Sequence, residues 1–312
     1  MKLQQLRYVV EIVRQGNHLS AAAEALNTSQ PGVSRQIQLL EQELGFDIFV
    51  RTRNRIVDLT EPGRRVLEIA QRMLGDMSAL RSLKEEISMP RGGTLTVGVT
   101  HTLARYVLPP AVEKFLNAHP DVHLILRRGD PEEICKMVEA GEADFSIGAQ
   151  TMNQFPELVT LPCFELPRSI IAKTGHPILD APELTLADVA AQRMIAYDTH
   201  YSGQWQVMNV FGHARLPVNV VLSAIDGDVC KSYVAMGLGV AIMTAVAYDP
   251  ERDIGIGMRD ASKLFPPSII NLTLKPNGNM RPYMFDFIAL VAPQLTPKVV
   301  KTAMKSRLAR AA

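Results

Sequence analysis

Three short helical patterns follow one another in residues 1–44, and their spacing constrains the fold more than any other feature of the chain. The first pattern carries apolar residues at helical spacing up to Val13 and stops at Gly16. Ser20 predicts the N-cap of a second helix, which Asn27 ends after about two turns. This second helix is therefore short, and another pattern follows it closely.

The third helix has two different faces. Ser29 predicts its N-cap, and Pro31 fits the first turn because the missing N–H is not needed there. One face forms an apolar stripe of Val33, Ile37, Leu40 and Leu44. The other carries side chains that can contact base edges or phosphates, namely Ser29, Gln30, Ser34, Arg35 and Gln38. Two short helices with a tight polar connection predict a helix-turn-helix whose second helix enters a DNA major groove, with a merely solvated face as the alternative.

A hairpin pattern with a basic tip follows these helices. Residues 45–50 and 56–60 flank a segment that contains Arg51, Arg53 and Arg55. Alternate arginines in a strand or turn project to one side, where they can contact the phosphates beside a groove. Because the whole chain has a net charge of only +1, the positive charge for DNA binding is expected to be concentrated at this hairpin, which we call the wing.

A long helix that begins at Pro62 carries a narrow apolar seam. Its members follow heptad spacing: Val66, Ala70, Met73, Met77, Leu80 and Ile87, with Lys84 the one polar residue among them. An identical helix of a second copy would bury such a seam, and a two-fold protein matches a two-fold operator. Packing on its own chain is the alternative. Residues 90–93 end the helix and predict a hinge.

Strand and helix patterns alternate beyond this hinge, which predicts parallel sheets with flanking helices. A first set contains predicted strands at residues 94–99, 122–126 and 143–148. The pattern restarts beyond Cys163, and a second subdomain contains predicted strands at residues 169–172, 193–196, 218–222 and 240–244. Cys135, Cys163 and Cys230 are isolated, which favours buried small hydrophobic residues over metal or redox chemistry.

A ligand held between two such sheets should meet the carboxyl ends of strands, where helix N-termini expose unpaired N–H groups. Thr100 and Thr102 follow one such strand, and Thr199 and Ser202 lie in a loop expected to face them. These hydroxyl and backbone donors would bind an oxyanion without any full positive charge. Helix capping is the alternative role of each side chain.

Several motifs of the first 63 residues resemble the DNA-binding signature of the LysR-type transcriptional regulators. They are Ala-Ala-Ala-Glu at 21–24, Ser-Gln-Pro at 29–31, Val-Ser at 33–34, Leu-Leu-Glu at 39–41, Phe-Val-Arg at 49–51 and Leu-Thr-Glu-Pro-Gly at 59–63. The resemblance implies groove contacts by Ser29, Gln30, Pro31, Ser34 and Arg35, and backbone contacts by Arg51 and Arg53. It also implies dimers that pair into tetramers on double-stranded operator DNA, with RNA polymerase as a further partner.

Over essentially the whole chain, the sequence is similar to the cysteine-regulon, CysB and Cbl-like branch of that family. The similarity is carried by residues 1–8, 100–102, 104–106, 161–163 and 283–288. The branch controls sulfur assimilation and senses sulfate, acetylated serines or related metabolites through hydroxyls that correspond to Thr100, Thr102 and Ser202.

Three pocket positions depart from that branch. Leu103 stands where the branch has glutamine, Ala149 where it has threonine and Leu166 where it has tryptophan. An oxyanion that loses a polar partner binds less well by roughly 1–3 kcal/mol. The departures therefore favour a larger or less polar effector, such as an organosulfur compound or an acyl amino acid.

The fold expected from these patterns and the resemblance is α/β, with an N-terminal all-α winged helix-turn-helix and a two-lobed effector domain of the periplasmic-binding-protein type. The expected parts are a DNA-binding domain at 1–60, a linker helix at 61–89, a hinge at 90–93, effector subdomain I at 94–164 plus 269–295, subdomain II at 165–268 and a C-terminal tail at 296–312.

Two other classes of function are less well supported by the sequence. An α/β enzyme would need a metal-ligand cluster, a glycine-rich phosphate loop or a nucleophile elbow, and the spacings predict none, so neither catalysis nor a cofactor is expected. A transport-type binding protein would share the two-lobed fold. The N-terminal DNA-binding pattern and the lack of a signal-peptide or membrane pattern favour a cytoplasmic regulator instead.

Overall fold

The computed structural model describes residues 1–52, 55–88, 92–151, 155–197 and 204–311. The chain divides into two compact units, one of Met1–Ser88 with Glu139–Glu142 and one of Met89–Val138 with Ala143–Ala312. We refer to residues 1–88 as the N-terminal unit and to residues 92–311 as the C-terminal unit. Among the described residues, no helix combines the length and the apolar character that a membrane crossing requires.

Three helices form the core of the N-terminal unit: α1 (Leu3–Arg14), α2 (Leu19–Ala25) and α3 (Gln30–Leu44). Val33, Ile37 and Leu40 of the stripe predicted on α3 are inaccessible to solvent, and Leu44, the fourth member of the stripe, is half-buried. They pack against Val9 and Ile12 of α1. The polar side of α3 is consequently left outside the core.

The start of α2 differs from the prediction, because Ser20 does not cap it. Asn17 adopts a left-handed backbone with φ 68°, and His18 is extended, so the helix begins at Leu19 and Ser20 lies in its first turn. Asparagine tolerates this conformation better than most residues do. Ser29 does cap α3, since its Oγ accepts the N–H of Gly32 at 3.3 Å.

A hairpin and a long helix complete the N-terminal unit. Strands β1 (Phe49–Thr52) and β2 (Arg55–Leu59) pair antiparallel, and α4 (Glu61–Ser88) follows. Gly63 lets α4 begin close to the hairpin, because a Cβ atom at this position would lie 2.0 Å from the carbonyl oxygen of Ile48.

Among the described side chains of α4, those of its first part contribute to the core of the unit. Ala70 is fully buried, whereas Met73 and Leu80 are exposed by 37% and 63%. The seam predicted from heptad spacing therefore emerges from the core into solvent. The side chains of Lys84 and Ile87 lie outside the described residues.

The C-terminal unit alternates strands and helices. Its strands are β3 (Gly93–Val99), β4 (Val122–Arg128), β5 (Phe145–Ala149), β6 (Val159–Leu166), β7 (Arg168–Lys173), β8 (Arg193–Tyr197), β9 (Asn219–Ala224), β10 (Ala241–Thr244), β11 (Ile256–Asp260) and β12 (Ser268–Leu274). Its helices are α5 (Pro109–Ala118), α6 (Pro131–Ala140), α7 (Pro177–Asp180), α8 (Leu186–Ala190), α9 (Gln204–His213), α10 (Gly227–Ala235), α11 (Pro282–Val291) and α12 (Pro297–Ala311). A π-helical turn, Leu103–Val107, lies between β3 and α5.

The first lobe is built on a five-stranded sheet with the order β4-β3-β5-β12-β6. Strands β4, β3 and β5 are parallel, and β12 runs antiparallel to β5 and β6. Phe115 of α5 and Phe287 of α11 meet edge to face with ring centroids 5.1 Å apart. β12 and α11 belong to this lobe but come late in the sequence. The chain therefore leaves the first lobe after β6 and returns to it at β12.

The second lobe contains a three-stranded antiparallel sheet, β10-β7-β11, and a parallel pair, β8-β9. A bridge between Met194 and Val240 joins the two sheets. The chain enters this lobe between Leu166 and Arg168 and leaves it between Asp260 and Ser268. Strand β6 thus stays in the first lobe through Leu166, slightly beyond the crossing expected at 164–165.

The segment expected to be a C-terminal tail is helical from Pro297 to Ala311. Val300 and Met304 of α12 are buried in the core cluster of the first lobe, which explains why the segment is ordered as a helix. Cys135, Cys163 and Cys230 are all buried, as predicted.

Candidate functional site

The polar face of α3 presents most of the side chains predicted to contact DNA. Ser29, Gln30, Pro31, Arg35 and Gln38 are exposed, and Ser34 is half-buried. Arginine and glutamine can each form two hydrogen bonds with the major-groove edge of a base. The face therefore has the chemistry for direct readout of a base sequence.

Arg51 is fixed to α3 by a buried carboxylate, a role that the sequence analysis did not assign. The Glu41 side chain is 6% exposed, and its Oε2 accepts from Arg51 Nη2 at 2.7 Å. Its Oε1 accepts the N–H groups of Ile48 and Phe49 at 2.8 and 3.2 Å. Glu41 therefore ties α3 to the β1–β2 wing and orients Arg51. Arg53, the other predicted backbone contact, lies outside the described residues.

A second candidate site lies in the C-terminal unit, where Thr100 and Thr102 line two small cavities between the lobes. We name the first the hinge cavity, and it is lined by Thr100, Thr102, Leu103, Ala149, Leu166, Arg168, Tyr197, Thr244, Ser268 and Ile270. The second is the mixed-charge cavity, lined by Thr100, His101, Thr102, Arg128, Gly129, Asp130, Pro131, Tyr197, Ile225 and Asp226. Each has a volume of about 20 Å³. Such a volume holds roughly one water molecule.

Five of the predicted ligand-binding residues come together in the hinge cavity. Thr100 and Thr102 supply hydroxyl groups, and the side chain of Thr102 makes no helix-capping hydrogen bond. Leu103, Ala149 and Leu166 supply apolar surface. Thr199 and Ser202 lie outside the described residues.

The expectation that this site lacks a full positive charge is wrong. Arg168, the first residue of β7, lines the hinge cavity and is only 2% exposed. Burial lowers the pKa of its guanidinium to about 10, so the group is still protonated at neutral pH. The sequence offered one clue, since an arginine directly precedes the predicted strand at 169–172, whose residues other than Ser169 are apolar.

The wall around Arg168 is formed where the chain passes between the lobes. Arg168 pairs with Thr244 across β7 and β10, and Leu166 pairs with Ser268 across β6 and β12. Thr244, Ser268 and Tyr197 are buried hydroxyl-bearing residues that the sequence analysis missed. These residues are far apart in sequence. They meet because the two segments in which the chain passes between the lobes, residues 166–168 and 260–268, lie side by side.

Two other helix N-termini beside the cleft, those of α10 and α6, have N–H groups that are occupied by carboxylates. Asp226 caps α10 by accepting the N–H of Val229 at 3.0 Å. Asp130 accepts from Glu132 and Glu133 at the start of α6, at 2.8 and 2.7 Å. These carboxylates line the mixed-charge cavity, so an anion is favoured in the hinge cavity instead.

Ligand atoms of His101, Asp226 and Asp228 lie within 4.8 Å of one another, a grouping that the spacing of the histidines did not predict. Lys231 Nζ lies 3.3 Å and Arg105 Nε 2.9 Å from carboxylate oxygens of Asp228. These cations compete with a metal ion for the same carboxylate. The grouping is better described as part of an ion-pair network.

Two family models match the chain. One is described as bacterial regulatory helix-turn-helix protein, lysR family, and matches residues 3–64. The other is described as LysR substrate binding domain and matches residues 90–296. The first model thus matches most of the N-terminal unit and the second most of the C-terminal unit.

Curated relatives resemble the chain over nearly its whole length. The HTH-type transcriptional regulator SsuR of Burkholderia cenocepacia is 41% identical, with 95% of this chain and 96% of the relative covered. The HTH-type transcriptional regulator CysB of the same organism is 39% identical, with coverage of 98% and 97%. The crystal structure of the cofactor-binding domain of the Cbl transcriptional regulator is 32% identical, has a TM-score of 0.65 and covers 68% of this chain and 93% of its own.

Proposed function

Because the chain belongs to the LysR family of bacterial transcriptional regulators, we propose that it reads operator DNA with α3 and the wing and senses a small anionic sulfur metabolite in the hinge cavity. The relatives are transcriptional regulators rather than enzymes. The regulated genes are those of sulfur and cysteine metabolism, in line with the similarity to SsuR and CysB. The protein acts in the cytoplasm, where its operators lie.

The DNA-binding role depends on the exposed polar face of α3 and on an arginine held beside it. Arg35 and Gln38 are free to reach base edges, while Glu41 directs Arg51 toward the flanking backbone. We assign Arg53 a backbone contact as well. Identical α4 seams form the dimer, dimers pair into the tetramer, and RNA polymerase is the partner through which the bound tetramer acts.

The class of effector follows from the hinge cavity, and the buried cation Arg168 is the observation that carries this assignment. Arg168 and the hydroxyl groups of Thr100, Thr102, Thr244 and Ser268 suit an anionic head group. Leu103, Ala149 and Leu166 suit an apolar tail. A sulfonate or an acyl amino acid combines both features, whereas inorganic sulfate leaves the apolar wall unused.

Calorimetric titration of the full-length protein tests this assignment. We expect a short alkyl sulfonate or an acetylated serine to bind at least about tenfold more tightly than sulfate, because only the organic anions cover the apolar wall. Tighter binding of free sulfate than of any larger metabolite would overturn the effector assignment. It would leave the DNA-binding role intact.

Genomic pull-down followed by sequencing tests the DNA-binding role. Arg35→Ala should weaken operator binding by about 1–3 kcal/mol and relax the preference at one base pair. Arg252→Ala removes the same charge from a side chain that is 77% exposed in the second lobe, and operator binding should not change. The absence of any preferred sequence for the wild-type protein would contradict the proposal.

Signal transmission is the last part of the proposal. Ligand in the cleft changes the angle between the lobes, which alters the spacing of DNA-binding pairs in the tetramer and the bend of the operator. Footprints and bend angles should therefore differ with and without the ligand. Identical footprints and bend angles would place the coupling elsewhere.

A further inference from the structure

Tyr106 reaches from the first lobe into the second. It lies on the π-helical turn Leu103–Val107, yet its ring packs against the second-lobe cluster that includes Ile195, Cys230 and Val234. Its hydroxyl donates to Asp228 Oδ1 and accepts from Lys231 Nζ at 2.8 Å. Both partners belong to α10, so one side chain makes apolar and charge-assisted contacts across the cleft.

Two neighbours of Tyr106 add to this contact. His101 Nε2 and Arg105 Nε both lie 2.9 Å from Asp228 Oδ2. Burial alone would raise the pKa of the Asp228 carboxyl, but hydrogen bonds from Tyr106 and His101 and the charge of Lys231 hold this pKa below its usual range. Three side chains of the first lobe thus converge on one carboxylate of the second.

The second-lobe groups would keep partners if Tyr106 moved away. Lys231 Nζ also donates to Asp253 Oδ2 and to the carbonyl oxygen of Ala247, both at 2.9 Å. It lies 3.3 Å from Asp228 within the same helix. Separation of the lobes therefore leaves the Lys231 ammonium group with partners in its own lobe, which makes the contact suited to repeated opening.

The two cavities beside this contact are too small for an organic ligand. Each holds roughly one water molecule, and the described lining residues come from both lobes, so separation of the lobes would make room for an acyl amino acid or a sulfonate. The contacts that oppose this movement include those made by Tyr106, His101 and Arg105. Their strength consequently enters the apparent affinity for any ligand of the cleft.

We propose that Tyr106 is an interlobe latch, a positioning residue that holds the cleft narrow through Asp228 and Lys231 and so sets effector affinity. Effector binds the unlatched arrangement, and the latch reduces the fraction of molecules that are competent to bind. The effect on affinity depends on the proposed effector role of the cleft. The effect on lobe separation does not.

Distance measurements between spin labels in the full-length, ligand-free protein test the latch directly. Labels are introduced by Glu113→Cys in the first lobe and Glu183→Cys in the second, both exposed, while the three native thiols are buried. Tyr106→Phe keeps the ring but removes the hydroxyl. The open population should rise roughly tenfold to a hundredfold, as expected for hydrogen bonds to charged groups.

Two further variants separate the latch from a general effect on folding. Tyr248→Phe is the matched control, because it removes a hydroxyl whose hydrogen bond to Ile256, at 3.4 Å, stays within the second lobe. Its distance distribution should match the wild type. Asp228→Asn should widen the distribution in the same direction as Tyr106→Phe. Identical distributions for wild type, Tyr106→Phe and Asp228→Asn would overturn the latch.

Titration with an acetylated serine gives the second measurement. Tyr106→Phe should bind it more tightly than the wild type by the factor by which the open population rises, roughly tenfold to a hundredfold, whereas Tyr248→Phe should not. Weaker binding by Tyr106→Phe would show that the latch supports the bound state and would overturn the proposal. If the wild-type protein binds no sulfur metabolite, the proposed effector is wrong, and the distance measurement still decides the latch.

Discussion

Arg168 places a guanidinium in the wall of the cleft at a position that is 2% exposed. Burial disfavours a charged group, as the lowered pKa of this side chain reflects. An anion bound beside it would recover part of the lost solvation energy. The residue thus increases the affinity of the cleft for an anion.

Replacement of Arg168 by methionine tests its role in anion binding. Arg168→Met should reduce the affinity for a sulfonate or an acetylated serine by at least about tenfold, because a charged hydrogen-bond donor is lost. Arg193→Met, an exposed arginine that also begins a strand, is the control and should retain ligand affinity. Undiminished binding by Arg168→Met would exclude the anion role.

The buried cysteines provide a residue-scale prediction about reactivity. Burial raises the pKa of the Cys163 and Cys230 thiols to about 12 each. At pH 8 the thiolate fraction is then about 10⁻⁴, against roughly a quarter for a free thiol. Alkylation of these two residues, followed by mass spectrometry, should be roughly a thousandfold slower in the native protein than in urea. Fast alkylation of Cys163 and Cys230 in the native protein at pH 8 would contradict the raised pKa of these thiols.

The residues of the cleft differ in how far the sequence could predict them. Thr100 and Thr102 follow a strand with a clear pattern, so their place at its carboxyl end was predictable. Arg168, Thr244 and Ser268 begin or end strands on either side of the crossings, and their burial depends on how four strands come together. No local pattern contains that information.

Among the elements of the fold, β6 shows why some strands escaped detection. It carries Pro162 in its interior, and proline within a run argues against a strand. The structure accommodates this proline because β6 is an edge strand with a register irregularity opposite Ile270 and Asn271. The short edge strand β11 was missed as well, whereas β3, β4 and β5 were predicted because their patterns are local and strong.

Glu41 connects α3 to strand β1 of the wing, and its replacement should loosen the wing. Glu41→Gln keeps the shape of the side chain but removes the charge that holds Arg51 and the two N–H groups of Ile48 and Phe49. Those two amides should exchange with deuterium about tenfold faster, and operator affinity should fall, because Arg51 loses its orientation.

Hydrogen-exchange mass spectrometry of full-length variants measures this change. Glu43→Gln is the matched control, since Glu43 lies on the same helix but its side chain is 52% exposed and contacts the N-terminal amine of Met1. Its exchange at residues 48 and 49 should equal that of the wild type. Equal protection in Glu41→Gln would show that the ion pair does not support the wing.

At the scale of the whole molecule, the exposed part of α4 points to a second copy of the chain. Leu80 is 63% exposed on the seam. Leu80→Asp should weaken dimerisation by at least about 2 kcal/mol, because a charge would enter an apolar seam. Ile254→Asp changes an apolar residue that is 86% exposed in the second lobe and should leave the oligomer intact. Sedimentation velocity compares the two, and an unchanged oligomer in Leu80→Asp would argue against the seam.

The return of β12 to the first lobe also affects how the protein is made. Residues 1–88 contain their own core and can fold as soon as they leave the ribosome, but the five-stranded sheet lacks an inner strand until residues 268–274 have been synthesised. During that interval β5 and β6 have no partner between them, and their unpaired backbone groups are open to pairing with other chains. A nascent chain that stalls before residue 268 therefore carries a folded DNA-binding unit together with an incomplete sheet that is prone to aggregation.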